Sequence, residues 1–158
     1  MKLSANEEYG LRCLVRIGYA GEGGSLTIPE MSAAEGVSAA YAAKILRVLR
    51  KAGFVKAARG KDGGYTLARP AEAIVIGDVM DVLGGRIFES SFCDSHAGQA
   101  AICTRSVDCS VRSLWRAVQV AVDQVLSKAT LRDLLQNEEE MNTWVRTIPG
   151  AKGLLSIQ

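Results

Sequence analysis

The stretch SAAYAAKILRVLRKAGFV, Ser38 to Val55, decides how this chain is read. Ser38 can accept a hydrogen bond from the first turn of a helix that starts at Ala39. Beyond it, Tyr41, Ile45 and Leu49 recur at helical spacing and face inward, while Ala40, Lys44, Arg47 and Lys51 share the outer face. The pattern predicts an amphipathic, basic helix over about 39–52. Lys44, Arg47, Arg50, Lys51, Lys56, Arg59 and Lys61 occur with no acidic residue between Lys44 and Lys61. Phosphates are neutralised by such a run. A solvated helix face would carry the same charge, so the neighbouring elements have to decide between the two.

Upstream, Thr27 and Glu30 have the spacing of a capping box, which predicts a short helix over 28–35 that Gly36 stops. Ser4 can cap an earlier helix over about 5–20, with Tyr9, Cys13, Ile17 and Ala20 on one face. A short helix, a tight glycine turn and a Ser-capped basic helix form a helix-turn-helix pattern. Downstream, strand-like runs at 54–58 and 65–68 flank Arg59-Gly60-Lys61-Asp62-Gly63-Gly64, a glycine-rich hairpin with a basic tip. That makes the module winged. The loop is a poor nucleotide cradle, because it joins two strands where a phosphate loop leads from a strand into a helix.

With 158 residues, 48% hydrophobic and 23% charged, the chain has the balance of an ordinary soluble globular protein, either one main domain or a small domain with an appended dimerisation element. The net charge of +2 is uneven: residues 1–75 carry +4 and residues 76–158 carry −2. No apolar run reaches the roughly 18 residues of a membrane span, and the first residues lack the apolar core of a signal peptide, so a cytoplasmic location is expected. In a reducing compartment, closely spaced cysteines are suited to metal binding or redox chemistry rather than to structural disulfides.

The second half is organised around such cysteines. A helix over about 76–83 ends at Gly84-Gly85, and an irregular polar segment runs from Arg86 to about Val107. A longer helix follows over about 109–127. Its Val111, Leu114, Val118, Ala121 and Val125 are spaced 3, 4, 3 and 4 apart, widened by Trp115 and Val122, which is a seam for another helix. Packing within the subunit is the alternative, but the preceding domain is already compact, so a homodimer is expected. Cys93, Cys103 and Cys109 stand as C-x9-C-x5-C, three thiolate donors able to wrap an iron-sulfur cluster. Zinc sites favour short C-x2-4-C pairs, which are lacking here, and a thiol switch remains open. Cys13, on an apolar stripe, reads as a buried structural thiol. A thiol oxidoreductase would want a C-x-x-C pair and an acid-base constellation, so the chain is not expected to be an enzyme. A winged helix kept only as a protein-docking scaffold is a further alternative, against which the basic run argues.

The expected division is a winged helix-turn-helix domain at 1–85, a cysteine loop at 86–108, a dimerisation helix region at 109–136 and a mobile tail at 137–158. The fold class is mainly α with a small β-hairpin. Ser38, Ala40, Tyr41 and Lys44 are expected at the major groove, Arg47 and Arg50 near phosphates, and Arg59, Gly60 and Lys61 at the wing.

The start Met1-Lys2-Leu3-Ser4, the stretches Ser38-Ala39-Ala40-Tyr41 and Leu49 to Val55, the wing Arg59 to Tyr65 and the trio of cysteines together resemble the iron-sulfur winged-helix regulators typified by IscR and NsrR. The resemblance covers about residues 1–135, in the same order. It implies a homodimeric bacterial transcription factor on a two-fold related operator in double-stranded DNA, with a 2Fe-2S or 4Fe-4S cluster held before the dimerisation helix. The chain departs from IscR-like members at the fourth ligand: Arg112 stands three residues after the third cysteine, where those members have a histidine. Other relatives use an N-terminal carboxylate from the partner subunit, and Glu8 holds the matching place. His96, the only histidine, competes for the role. Operator binding is expected to respond to redox state, nitric oxide or cluster supply.

Overall fold

Three helices close over one core because each starts at a side-chain cap and turns an apolar stripe inward. The computed structural model describes residues 3–21, 23–58, 63–89, 91–95, 103, 105 and 107–149. Helix α1 (Ala5–Tyr19) opens with a reciprocal pair of bonds: Ser4 Oγ accepts from Glu7 N at 3.3 Å, and Ser4 N donates to Glu7 Oε2 at 2.7 Å. Thr27 and Glu30 do the same for α2 (Ile28–Glu35). Ser38 Oγ accepts from Tyr41 N at 3.2 Å to start α3 (Ala39–Lys51). Gly36 takes a φ of 66°, which lets α2 stop and the chain turn directly into α3. Leu14, Ile17, Met31, Ile45, Leu46 and Leu49 are all at most 1% exposed. At roughly 1.5–3 kcal/mol for each large apolar side chain buried, this cluster dominates the stability of the domain.

The wing is rooted in that core. Strands β1 (Val55–Ala57) and β2 (Tyr65–Leu67) pair antiparallel in the register Val55 with Leu67, Lys56 with Thr66 and Ala57 with Tyr65. Leu26 adds a bridge to Tyr65, donating at 3.0 Å and accepting at 2.8 Å. A Cβ on Gly64 would stand 2.6 Å from the Leu26 carbonyl oxygen, so glycine is required where these backbones meet.

A 3-10 turn (Ala71–Ala73) leads into α4 (Ile76–Leu83), whose Ile76, Val79 and Leu83 complete the core. The stretch expected to be irregular from Arg86 contains a one-turn helix, α5 (Phe92–Ser95). Helix α6 (Ser110–Leu126) is capped by Cys109. The chain then returns to the body: Ile76 N donates to the Ala129 carbonyl at 2.9 Å, and Leu131 N donates to the Ile74 carbonyl at 2.8 Å. Leu131, which opens α7 (Leu131–Leu134), is fully buried. Residues 129–135, grouped in the sequence with the dimerisation helix, therefore belong to the core of the winged domain.

The expectation of a frayed, mobile end from Asn137 is corrected by α8 (Glu138–Arg146). Asn137 and Glu140 form its capping box at 2.9 and 3.1 Å. Glu138-Glu139-Glu140 lie in the first turn, where the helix dipole favours negative charge. Trp144 packs on the core and Ile148 is 4% exposed, which anchors the helix. Residues 150–158 lie outside the described residues. Among the described residues, no helix is long and apolar enough to cross a membrane.

Candidate nucleic-acid interface and cysteine loop

The burial of Ala42, Ile45, Leu46 and Leu49 fixes which face of α3 points outward. Ser38, Ala40, Lys44, Arg47, Arg50 and Lys51 are exposed on it. Among the described residues, none of Lys44, Arg47, Arg50 and Lys51 takes part in an ion pair, so their charge is available to a phosphate backbone. Tyr41 is placed differently from the rest. It is half-buried, its ring meets Tyr9 edge-on at 6.1 Å, and its hydroxyl lies 3.5 Å from Asn6 Oδ1. Asn6 Nδ2 in turn donates to the Leu83 carbonyl at 3.1 Å. Tyr41 thus ties the start of the basic helix to α1 and α4. Arg59, Gly60 and Lys61, assigned to the wing tip, lie outside the described residues. The root of that wing is closed by Ala58 N donating to the Gly64 carbonyl at 2.8 Å.

Glu35 was not singled out in the sequence, and nothing about its place before Gly36 marks it. Its side chain is 2% exposed and accepts from Arg12 Nε at 2.8 Å and Arg16 Nε at 2.9 Å. Two half-exposed guanidinium groups on α1 therefore hold a buried carboxylate at the end of α2, and the pairing offsets the desolvation of the charge.

The cysteine segment is latched to α6 at its start. Arg86 pairs with Asp81 on α4 at 3.2 Å and with Asp123 on α6, and these carboxylates, Asp123 foremost, hold its guanidinium more firmly protonated. Phe88 N donates to Gln119 Oε1 at 3.0 Å, and Gln119 Nε2 donates to Asp123 Oδ1 at 2.8 Å. The Phe88 ring packs against Phe92 at 5.3 Å, directly before Cys93. At the far end Cys109 Sγ accepts the Arg112 backbone N–H at 3.4 Å as the cap of α6. Cys93, Cys103 and Cys109 are half-buried free thiols. Among the described residues, no three His, Cys, Asp or Glu side chains converge into a group that could hold a metal ion. The donor chemistry nonetheless suits one: three soft ligands outside any disulfide share one segment, and one of them already accepts a backbone N–H. Glu8 is exposed on α1, 3.9 Å from an Arg12 nitrogen, while His96 lies outside the described residues. Cys13 is fully buried, and burial foremost, with the Glu35 charge adding and Arg12 opposing, pushes its thiol up to about 11.

A capped basic helix over a closed helical core, flanked by a two-stranded wing, defines a winged-helix DNA-binding regulator. The chain belongs to the Rrf2 family of iron-dependent transcriptional regulators, whose profile matches residues 3–137. It is 34% identical over 137 residues to protein rrf2 of Nitratidesulfovibrio vulgaris, covering 87% of this chain and 89% of that one. Among solved structures, IscR of T. potens is 32% identical and superposes with a TM-score of 0.67 over 85% of this chain and 86% of that one. CymR, the global cysteine regulator of B. subtilis, is 27% identical with a TM-score of 0.64 over 85% and 96%. Relatives named as transcriptional regulators accord with a protein that binds rather than catalyses.

Proposed function

We propose that the protein is a homodimeric regulator whose grip on a two-fold related operator is set by an iron-sulfur cluster on Cys93, Cys103 and Cys109, completed by Glu8 of the partner subunit. The observation that carries this reading is the junction of Cys109 with α6. A residue of the candidate ligand set is also the cap of the helix whose apolar face is uncovered, with Val111 55% and Leu114 59% exposed. When bound, an iron-sulfur cluster supplies a centre that reacts with oxidants and nitric oxide.

The chain's own residues would convert that chemistry into a change of shape. Segment 86–109 is held to α6 at both ends, by Arg86 and Phe88 at one and by Cys109 at the other. A change in how the three thiols are ligated or oxidised would move the first turn of α6 relative to the body. If α6 is the dimer seam, the two copies of α3 change their separation. Operator half-sites about one helical turn apart, roughly 34 Å, tolerate little of that. Ser38, Ala40 and Lys44 would then face base edges, and Arg47, Arg50 and the wing residues Arg59, Gly60 and Lys61 the backbone.

A second reading keeps the same architecture with a thiol switch in place of the cluster. It is supported by the free, half-buried state of the three cysteines and by the likeness to CymR, a cysteine regulator. The ultraviolet-visible spectrum of protein purified without oxygen separates the two. A brown protein with sulfide-to-iron charge-transfer bands is expected; a colourless, iron-free protein whose loop thiols oxidise reversibly supports the thiol switch instead.

A further inference from the structure

The root of the wing carries a cavity of about 580 Å³ that the regulatory reading leaves unused. Lys56 on β1, Arg69 just after β2 and Arg132 on α7 line it, against one carboxylate among its described lining residues, Glu72. Glu72 is engaged only loosely: it lies 3.8 Å from Arg132, and both side chains are about two-thirds exposed, at 65% and 63%. Arg69 is held more firmly, its guanidinium 4.8 Å over the ring of buried Phe54. Its Nε is shut off from solvent, so the cavity is lined by other atoms of Arg69. The excess of cations among the described lining residues calls for an anionic complement, an oxyanion.

We propose that this cavity binds a small organic molecule bearing a phosphate or carboxylate group, held by Arg69 with Lys56 and Arg132 around it. The volume falls within the roughly 300–1,000 Å³ usual for small-molecule sites and is far larger than a lone ion needs. Arg69 supplies a flat, preoriented fork, the geometry that suits both oxyanions. A duplex backbone is the other phosphate source near a wing, but it is long and convex and reaches exposed cations. Arg69 is half-buried in the wall of the cavity, which favours a molecule small enough to enter. The placement also gives the ligand a lever, because it would bridge the wing to α7, the element that follows α6, and so reach both DNA-facing and assembly-facing parts of the chain.

The test is thermal unfolding of the full chain in inorganic phosphate, and separately in 3-phosphoglycerate, against sodium chloride at equal ionic strength. At a hundredfold excess over Kd, the Tm should rise by about 5 °C or more. Arg69→Gln should abolish most of that rise. Arg132→Gln and Lys56→Gln, changes at exposed side chains that leave the fold unthreatened, should each reduce it and so keep the test valid if Arg69→Gln unfolds. Lys44→Gln, on α3, should leave it intact. The proposal is overturned if neither probe raises the Tm, or if the rise is the same in all variants. It is equally overturned if the probes do nothing while Arg69→Gln lowers the salt dependence of duplex binding, which would make the cavity a DNA-backbone contact.

Discussion

Helices α3 and α6 follow the same amphipathic plan and meet opposite fates. In 13 residues α3 buries Ala42, Ile45, Leu46 and Leu49 to 1% exposure or less. In 17 residues α6 buries only Gln119, a polar one, and leaves Val111, Leu114 and Val120 more than half exposed. The difference lies in what surrounds them: α1, α2, α4 and β1 all pack on α3, whereas α6 touches the body chiefly through α4 and the Arg86 and Phe88 latch. An amphipathic stripe states that a helix will be covered, not by what. The body closes on itself, whereas α6 leaves an apolar face uncovered; in the proposed function a ligand completes the cysteine segment and a second copy covers α6.

The largest expected effect sharpens that contrast among the four cysteines. Replacing Cys93, Cys103 or Cys109 by Ala removes one of the three proposed thiolate ligands, so iron and acid-labile sulfide should fall almost completely after anaerobic reconstitution. Cys13→Ala should leave both unchanged, since Cys13 belongs to the closed body. Glu8→Ala should give a cluster that assembles and is lost faster. If His96→Ala does this and Glu8→Ala does not, the fourth ligand has been misassigned.

Next in size is the assembly itself. Leu114→Glu with Val118→Glu places two like charges in each half of a self-complementary seam, and sedimentation should show monomers that bind DNA poorly. A double variant that remains dimeric breaks the comparison, because it would mean that α6 is not the surface that needs a partner.

How much of this was legible in the sequence follows the same divide. Local signals read well where the physics is local: Thr27 with Glu30 marks the start of α2 and Gly36 its end, Gly84-Gly85 marks the end of α4, and Cys109 stands at the start of α6. The stripe of α1 was read one position off in emphasis, since Leu14 is buried beside Cys13 and Ile17, while Ala20 is only partly covered. Non-local pairings left no trace in spacing. The Val75–Thr130 bridge that draws α7 into the core joins residues 55 positions apart, and the Glu35 clasp joins α2 to α1 through residues that alone read as surface charge. Helix α8 was missed because its acidic run reads as a solvated tail until Trp144 is seen to pack on the core. The half-buried state of Tyr41 depends on Asn6 and Tyr9, and no periodicity of α3 reveals them.

Within the body, truncation of a fully buried side chain should cost stability outright. Leu46→Ala removes a side chain at 0% exposure and should destabilise the protein by about 2–5 kcal/mol in urea unfolding. Leu114→Ala, at 59% exposure, should change the unfolding of the body by no more than about 0.5 kcal/mol at protein concentrations low enough to populate monomers. Equal losses at the two sites would mean that α6 is packed as tightly as α3, and the contrast between them would fail.

The smallest effect expected concerns the one cysteine that belongs to the body. Burial raises the Cys13 thiol from 9.0 to about 11, so the folded protein holds this proton more tightly than the unfolded chain does. Below pH 9 both states keep the proton and Cys13 adds no pH dependence. Between pH 9 and 11 the unfolded chain gives it up first, and stability is lost as pH rises, with a slope of at most about 1.4 kcal/mol per pH unit for one proton. Cys13→Ala should start from a slightly lower stability, because it leaves a small void, but should fall less steeply over that window. The quantity to follow is the difference between parent and variant in urea midpoints from pH 8 to pH 11, which cancels the lysines and tyrosines that titrate in both. That difference should shrink as pH rises. A companion measurement uses iodoacetamide on metal-free, reduced protein at pH 8: mass spectrometry should find up to three labels on the native state and a fourth only in urea. If Cys13 is labelled at the rate of the three loop thiols, the core around α1 opens as readily as the cysteine segment, and the body is not the closed unit that its burial describes.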